Sequence, residues 1–351
     1  MRYTAAISAI MILTGCAATP PALAPAPPAG TVDVPAWRET AAVTSAKDAA
    51  DDPAIWRNPR DPANSLIVAT DKQEGLNVYG LDGKLRSNLP AGRVNNVDLR
   101  GGVTIAGKSG VLVAASDRST LGDGRIAVFS LDPASATLTA LARIPITEMR
   151  EPYGFCLYRA RGQVYAFVVG KDGAILQVRL DLSGPQPSGT IVRRMKLGTQ
   201  SEGCVADDRT GTLYVAEEDV GLWRFDASPT GPVEAVKIAA DDGVRLVADA
   251  EGLAIAAEGR SGGYLVASSQ GDSSYSVWRL PDYAYMGRFH IAPSGSVDGT
   301  SDTDGIEIST AGFGADLKDG LMIAQDGNNA PEAQNFKLVR WADVKKALGL
   351  P

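Results

Sequence analysis

The stretch Leu66-Ile67-Val68-Ala69-Thr70-Asp71-Lys72 is an apolar run that stops abruptly in polar residues. A short apolar run bounded by polar turn residues is typical of a buried β-strand. The pattern returns five more times, at residues 111–118, 166–172, 213–219, 264–270 and 321–326. Six copies of one strand indicate an internal repeat that extends over most of the chain.

Two further elements accompany each copy of this strand. After it come a turn and a second strand, whose end is marked by pairs such as Leu81-Asp82, Leu131-Asp132 and Phe225-Asp226. Before it, a polar motif runs into a third strand; these motifs include Asp52-Pro53, Asn96-Val97, Tyr153-Gly154, Glu202-Gly203, Glu251-Gly252 and Asp304-Gly305. Repeats of about 50 residues, with three or four short strands each, predict an all-β fold, a six-bladed β-propeller. Helical periodicity is confined to residues 341–348.

The composition narrows the chemistry that such a fold can perform. The chain has 351 residues, 34 Lys+Arg against 41 Asp+Glu, a net charge of −7 and a single histidine. An acidic chain is unsuited to electrostatic capture of nucleic acid, so we expect no nucleic-acid partner. One histidine also excludes His-rich zinc chemistry and any phosphatase mechanism that requires two histidines. Carboxylates must therefore carry the chemistry.

The N-terminus has the features of an export signal. Arg2 precedes an apolar run over residues 5–13, which is too short to span a bilayer. The run ends in Leu13-Thr14-Gly15-Cys16, which resembles the lipobox of bacterial lipoproteins; the alternative is an ordinary signal cleaved near Ala17-Ala18. We expect a signal peptide over 1–15, lipidation of Cys16, an Ala/Pro-rich tether over 16–36 and the propeller domain over 37–351.

Export on this signal would make the protein a lipoprotein of the cell envelope or outer membrane, or a protein free in the periplasm or outside the cell. Its only contact with a membrane would be the lipid at Cys16. Two cysteines remain, Cys156 and Cys204, which could pair in an oxidising compartment. Both lie in apolar, strand-like stretches, however, and this favours two buried free thiols.

Propeller geometry places many polar residues on one face of the molecule. The first strand of a blade lines the central channel and the second runs antiparallel beside it, so the start of the first meets the end of the second. The strand starts supply Asp51, Asp52, Asn95, Asn96, Tyr153, Glu202, Asp249, Glu251, Asp302 and Asp304. The strand ends supply Asp71, Lys72, Arg118, Lys171, Asp172, Glu217, Glu218, Gln270 and Asp326. We therefore expect one acidic rim around the opening of the channel.

Crowded carboxylates repel one another, and hard cations relieve that repulsion at neutral pH. Oxygen ligands without histidine or thiol favour calcium or magnesium, and clustered carboxylates on irregular loops favour calcium. Lys72, Arg118 and Lys171 stand among these acids and suit a ligand with several negative groups, such as a polyphosphate. Any single one of the acids could instead be an ordinary turn residue. The calcium hypothesis therefore rests on their repeated placement on one rim.

The motifs of all six repeats resemble those of the β-propeller phytases, over the stretch from Glu39 to Trp341. The resemblance is carried by Asp51-Asp52-Pro53, Asn95-Asn96-Val97-Asp98, Tyr153-Gly154-Phe155, Ser201-Glu202-Gly203, Glu217-Glu218-Asp219, Asp249-Ala250-Glu251-Gly252, Ser268-Ser269-Gln270-Gly271, residues 298–305 and Gln325-Asp326-Gly327. It implies calcium-dependent hydrolysis of phytate (inositol hexakisphosphate) and other inositol polyphosphates, of the 3-phytase type, to lower inositol phosphates and phosphate. A metal-associated water would attack phosphorus without a phosphoenzyme. We expect a monomer.

The resemblance also implies roles for individual residues. Catalytic calcium around the cleaved phosphate would be held by Glu39, Asp51, Glu202, Glu218, Asp249, Glu251 and Asp304. Tyr153 would contact that phosphate. A neighbouring phosphate would be held by Lys72, Arg118 and Lys171.

Two further calcium sites are implied away from the cleaved phosphate. Asp52, together with the carbonyl groups of Pro53 and Val97, would form a stabilising site on the rim. Asp298 would belong to another structural site.

Two other functions remain open for a calcium-binding propeller. One is a calcium-dependent lactonase-type hydrolase, which would need one deeply buried calcium and few phosphate-binding cations. The other is a non-catalytic envelope protein that uses calcium for rigidity and its rim for binding a partner. A propeller fold by itself does not separate them from a phosphatase, since propellers host many functions.

Overall fold

The computed structural model describes residues 30–351, so the expectations for residues 1–29, including the signal peptide and Cys16, lie outside the described residues. Two short strands come first, β1 (Thr31–Pro35) and β2 (Arg38–Glu39). Within the described range, no helix is long and apolar enough to cross a membrane.

The rest of the chain forms six sheets, numbered blades 1 to 6 in chain order, and this confirms the predicted propeller. Each blade begins with its innermost strand and continues outward. Blade 1 contains β3 (Ala50–Trp56), β4 (Leu66–Asp71), β5 (Gly75–Gly80) and β6 (Leu85–Pro90). Blade 2 contains β7 (Val94–Ile105), β8 (Lys108–Asp117), β9 (Arg125–Asp132) and β10 (Thr137–Pro145). Blade 3 contains β11 (Pro152–Ala160), β12 (Gln163–Gly170), β13 (Ala174–Asp181) and β14 (Ser188–Lys196). Blade 4 contains β15 (Ser201–Asp207), β16 (Thr212–Glu217), β17 (Gly221–Asp226) and β18 (Val236–Ala240). Blade 5 contains β19 (Ala250–Glu258), β20 (Gly262–Ser269), β21 (Ser274–Leu280) and β22 (Tyr285–Ala292). Blade 6 contains β23 (Ile306–Ser309), β24 (Leu321–Asp326) and β25 (Asn335–Arg340).

The N-terminal strands complete the last two blades and close the ring. β1 pairs in parallel with β22 at the outer edge of blade 5, and β2 pairs antiparallel with β25 in blade 6. The inner strands touch their neighbours in order from β3 to β23, and β23 touches β3. The predicted tether over 16–36 is therefore too long, because residues 31–35 form a strand of blade 5 and Val34 and Ala36 are buried against it.

Helical structure is sparse, as the sequence pattern predicts. Short 3₁₀ turns occur at Pro62–Asn64, Gln270–Asp272 and Ala315–Leu317. The helix α1 (Trp341–Leu348) packs against β1, β22 and β25 with Trp341 buried. It ends at Gly349, whose φ of 64° is a left-handed conformation that favours glycine.

The hydrophobic core lies between the blades. Alternate residues of a strand face opposite neighbours, so that Val68 and Val78 of blade 1 pack with Val113 and Phe129 of blade 2. Each buried aliphatic or aromatic side chain of this kind contributes about 1.5–3 kcal/mol. Because these apolar faces are shared, each blade is stabilised by its two neighbours.

Glycine allows the inner strands to approach each other closely at the start of four blades. At each of these glycines, a Cβ atom would lie far inside contact distance of the carbonyl oxygen of an acidic residue in the next blade. The pairs are Gly154 with Glu202, Gly203 with Glu251, Gly252 with Asp304 and Gly305 with Asp51, at 1.7, 2.0, 2.6 and 2.6 Å. The acid-glycine motifs in the sequence therefore set how closely the acids of consecutive blades converge.

The same motifs interrupt the pairing of the inner strands. In five blades the register between the first and second strand shifts at the motif, so that its residues are left out of the ladder. The shifts fall between Ala50 and Pro53, Val94 and Val97, Pro152 and Gly154, Ser201 and Cys204, and Ala250 and Leu253. A bulge of this kind re-aims side chains, and here it turns the polar residues of the motifs toward the channel opening.

The structure overturns the expectation that Cys156 and Cys204 are free thiols. The two form a disulfide between β11 and β15, with their Cα atoms 5.7 Å apart. Cys156 lies two residues after Gly154 and Cys204 one residue after Gly203. The close approach of the inner strands at these glycines brings the two thiols together across the boundary between blades 3 and 4.

Candidate active site

Three glutamates meet at the opening of the channel. Glu202 and Glu251 lie in the bulges of β15 and β19, and Glu218 follows the end of β16. They are 3%, 5% and 5% exposed, and each offers a carboxylate oxygen within 4.8 Å of the other two. In the part of the chain that the structure describes, Glu218 Oε1 and Glu251 Oε2 are buried without a hydrogen-bond partner. We refer to these three residues as the glutamate triad.

A second group of acids surrounds Lys72, which follows β4 in blade 1. The Lys72 ammonium lies 2.7 Å from Asp48 Oδ1, 3.1 Å from Asp51 Oδ2 and 3.4 Å from Asp304 Oδ2. Burial alone would lower the pKa of Lys72, but the charges of Asp51 and Asp304 outweigh it and raise that pKa. Lys72 therefore stays charged and offsets part of the acid at the rim.

The pKa values of three rim carboxyls, Glu202, Glu251 and Asp304, are raised, chiefly because the groups are buried. Burial and then the charge of Asp51 raise the pKa of Glu202, and burial and then the charge of Glu202 raise that of Glu251. Burial also raises the pKa of Asp304 to about 7, against the opposing charge of Lys72. Without a bound cation, these groups hold protons at a pH where ordinary carboxyls have lost them.

Two cations flank an aromatic ring on the same rim. The Arg118 guanidinium lies 5.2 Å and the Lys171 ammonium 5.0 Å from the ring centre of Tyr153. Burial and then the charge of Glu202 raise the pKa of the Tyr153 phenol, so that it remains a hydrogen-bond donor. Within residues 30–351, Arg118 Nε is buried without a hydrogen-bond partner. An anion between these residues would gain charge-assisted hydrogen bonds.

Asp249, at the start of blade 5, and Asp304, at the start of blade 6, lie close enough to the glutamate triad for their charges to act on Glu218 and Glu251. Burial and the neighbouring Asp219 raise the pKa of Asp249. Asp304 Oδ1 accepts a hydrogen bond from the Gln270 amide, and the Asp304 backbone N–H donates to Gln325 Oε1 at 2.7 Å. The rim thus brings Asp51, Glu202, Glu218, Asp249, Glu251 and Asp304 into one neighbourhood, and their role as calcium ligands stays a prediction.

The three residues of the predicted stabilising site lie together between the inner strands. Asp52, Pro53 and Val97 line one small cavity between the inner strands. Asp52 Oδ2 accepts a hydrogen bond from the Val97 backbone N–H at 2.9 Å, and burial raises the pKa of Asp52 well above its ordinary value. The three groups are in contact, and their role as calcium ligands stays a prediction.

Glu39 and Asp298 both lie at the ammonium of Lys337. Lys337 is 0% exposed on β25; its Nζ lies 2.7 Å from Glu39 Oε2 and 3.1 Å from Asp326 Oδ2, and it also pairs with Asp298. The two acids were predicted to hold different calcium ions, and the structure places both on one internal cation. Glu39 makes no contact with the glutamate triad in the described part of the chain.

Sequence reasoning missed Lys337 and assigned no role to Asn95. Lys337 lies between Phe336 and Leu338 in a strand, and a lysine at a position buried within such a strand is a signal of an internal ion pair. Asn95 is a neutral amide at a motif position where most other blades carry an acid. That exception to the repeat is visible in the sequence, but its partners are not.

The donor set of the glutamate triad fits a hard cation. It consists of oxygen atoms only, and two of them, Glu218 Oε1 and Glu251 Oε2, are buried with no partner among residues 30–351. A buried carboxylate oxygen that lacks a donor is costly unless a proton or a cation approaches it. Oxygen ligands of this kind suit calcium or magnesium better than zinc or copper.

Fold and site together define a six-bladed β-propeller with an acidic centre that could bind a metal. Beside it lies a cationic surface, formed by Arg118 and Lys171 around Tyr153. The sequence model of the phytase family matches residues 2–350 of the chain. A 3-phytase of Bacillus subtilis (strain 168) is 41% identical over 327 residues, which cover 90% of this chain and 85% of the relative. The chain belongs to the phytase family.

A solved structure of a different kind is similar in outline only. A chain from the crystal structure of a mitotic checkpoint complex has 12% identity and a TM-score of 0.48, covering 94% of this chain and 98% of its own length. A similarity this remote carries no information about function.

The raised pKa values predict how stability depends on pH in the absence of metal. Because Glu202, Glu251 and Asp304 bind protons in the folded state that the unfolded chain has released, metal-free stability falls as pH rises from roughly 4 through about 7. We expect the melting temperature in chelator to fall over this window. Saturating calcium should remove most of that fall, since it replaces the protons.

Thermal melts from pH 4.5 to 8, with chelator and with calcium, measure this dependence. The variant Glu251→Gln is the matched comparison, because it removes one of the titrating groups and should flatten the fall in chelator. A metal-free melting temperature that rises steadily across the window would contradict the raised pKa values.

Removing the internal cation should destabilise the protein strongly. In Lys337→Met, Glu39, Asp298 and Asp326 would face each other without a counterion, and we expect a loss of about 3–5 kcal/mol of unfolding free energy. The control is Lys345→Met, whose ammonium pairs with Glu258 at the surface at 3.2 Å and should cost about 1 kcal/mol at most. Equal stability of the two variants in denaturant unfolding would show that Lys337 does not hold these acids together.

Proposed function

We propose that this protein hydrolyses phytate to lower inositol phosphates and phosphate, with calcium held at the glutamate triad. Membership of the phytase family supports the reaction and the substrate. The single observation that carries the calcium requirement is the pair of buried carboxylate oxygens without partners, on Glu218 and Glu251. Calcium there would offset phosphate charge and lower the pKa of a bound water.

The acids of the rim have two tasks in this proposal. Glu202, Glu218 and Glu251 hold the cation, with Asp51, Asp249 and Asp304 around them. Their rigid placement in bulges of the inner strands fixes the position at which the cleaved phosphate binds. Burial keeps bulk water from competing with the phosphate for the same charges.

The cationic surface binds the part of the substrate that does not react. Arg118 and Lys171 both approach the ring of Tyr153. Burial raises the pKa of Glu218, and the charge of Lys171 acts against this increase. The anion-binding groups and the glutamate triad are therefore neighbours. A phosphate on the cations would place an adjacent phosphate of the same ligand near the triad. Lys72, which is already paired with three carboxylates, would reach a phosphate only if calcium replaced it among them.

Phosphate release from phytate tests the proposed activity. We expect the purified protein to release phosphate near neutral pH with calcium and to lose this activity after chelation. Glu251→Gln should lower kcat/KM by at least about 100-fold, because it changes a residue that binds the metal directly. Glu258→Gln is the control. Glu258 lies at the other end of β19 from Glu251 and pairs with Lys345, so this variant should behave like the wild type.

Two results would count against different parts of this proposal. Full activity after exhaustive chelation would eliminate the role of calcium and leave the substrate assignment intact. No phosphate release from phytate by a folded, calcium-saturated protein would eliminate the substrate assignment.

In this proposal, the protein is exported and is anchored to a membrane by a lipid on Cys16. The motif Leu13-Thr14-Gly15-Cys16 supports it, and so does the buried disulfide between Cys156 and Cys204, because structural disulfides are typical of oxidising compartments. Expression of the full chain in a bacterium should place the protein in the membrane fraction, and Cys16→Ser should release it. Recovery of the unchanged chain in the cytosolic fraction would contradict export.

A further inference from the structure

Asn95 contacts a carboxylate of a blade that is not its neighbour. It lies in the bulge of β7 in blade 2 and is 0% exposed. Its Nδ2 lies 2.6 Å from Glu202 Oε1 in blade 4, 2.9 Å from the side-chain amide of Asn96 and 3.5 Å from Asp51 Oδ1 in blade 1. An NH₂ group has two hydrogens, so Glu202 and Asn96 are its close partners and Asp51 is only a neighbour. Asn95 thus links blade 2 to an acid of blade 4.

The contact with Glu202 requires an amide. An ionised carboxylate only accepts hydrogen bonds, so the NH₂ group of Asn95 must face Glu202. This orientation leaves its carbonyl oxygen, and Asn95 Oδ1 is buried without a partner within the described residues 30–351. An aspartate of the same shape would place a further negative charge against two buried acids.

We infer that Asn95 is a positioning residue of this site, and this inference rests on the proposed function. Its NH₂ group holds Glu202 in the orientation in which it binds the cation. Groups that orient metal ligands in this way typically contribute 10–100-fold to metal affinity or activity.

Two substitutions separate positioning by hydrogen bonds from simple filling of space. Asn95→Ala removes the donors and the oxygen, while Asn95→Asp keeps the shape and the oxygen atoms and removes the donors. Asn77→Ala is the control for losing a buried amide, since Asn77 is buried on β5 away from the rim acids. Each protein is titrated with calcium by thermal melting, and kcat and KM for phytate are measured at saturating calcium.

We expect Asn95→Ala to raise the calcium midpoint of the melting transition about tenfold and to lower kcat by a similar factor. Asn95→Asp should also lower kcat about tenfold at saturating calcium. KM for phytate should change by less than about twofold in both, because Arg118 and Lys171 are untouched. Asn77→Ala should lower the melting temperature equally with and without calcium, and leave the calcium midpoint and kcat as in the wild type.

Two outcomes would overturn the inference. A wild-type kcat in Asn95→Asp would show that shape, and not hydrogen-bond donation, is what matters at this position. An unchanged calcium midpoint in Asn95→Ala would show that its effect is structural, as for Asn77→Ala. If the wild type releases no phosphate from phytate, the proposed function fails, and the calcium midpoints still decide whether Asn95 positions the ligands.

Discussion

The close approach of neighbouring inner strands, at Gly154, Gly203, Gly252 and Gly305, is the constraint on which this site depends. At Gly154 and Gly203 there is no space for even one carbon atom beside the carbonyl of the next blade. Larger residues would push the inner strands apart and widen the opening of the channel. The acids could then no longer share one cation, so the packing of the ring and the chemistry of the site have the same cause.

That approach creates an electrostatic difficulty, which the structure meets in three ways. Internal ammonium groups offset some of the charge, through Lys72 at the opening and Lys337 at the junction of β2 and β25. A neutral amide, Asn95, donates a hydrogen bond to the buried Glu202. Protons held at raised pKa values offset the remainder until a metal replaces them. Of the three, only the protons leave readily, and they are therefore the groups that a cation can displace.

The sequence predicted more of the rim than of its contacts. Repeated strands placed Asp51, Glu202, Glu251 and Asp304 at equivalent positions of different blades, so their convergence followed from the propeller geometry. Glu39 was assigned by resemblance alone, and the structure places it on Lys337, because β2 closes the ring next to β25. The disulfide escaped prediction for a similar reason. Cys156 and Cys204 occupy different positions in their repeats and meet only because the inner strands of blades 3 and 4 nearly touch.

What the sequence by itself determined is the number of blades, the direction of each inner strand and the set of polar residues that faces one opening. These features are local, since each follows from a strand pattern, a turn and an acid-glycine motif within about 50 residues. What only the tertiary structure decided is which polar groups are paired, with Lys72 among three acids, Lys337 holding Glu39, and Asn95 donating to Glu202 of blade 4. Such pairings join residues far apart in the chain, and they depend on distances of a few ångströms that are fixed only when the ring closes.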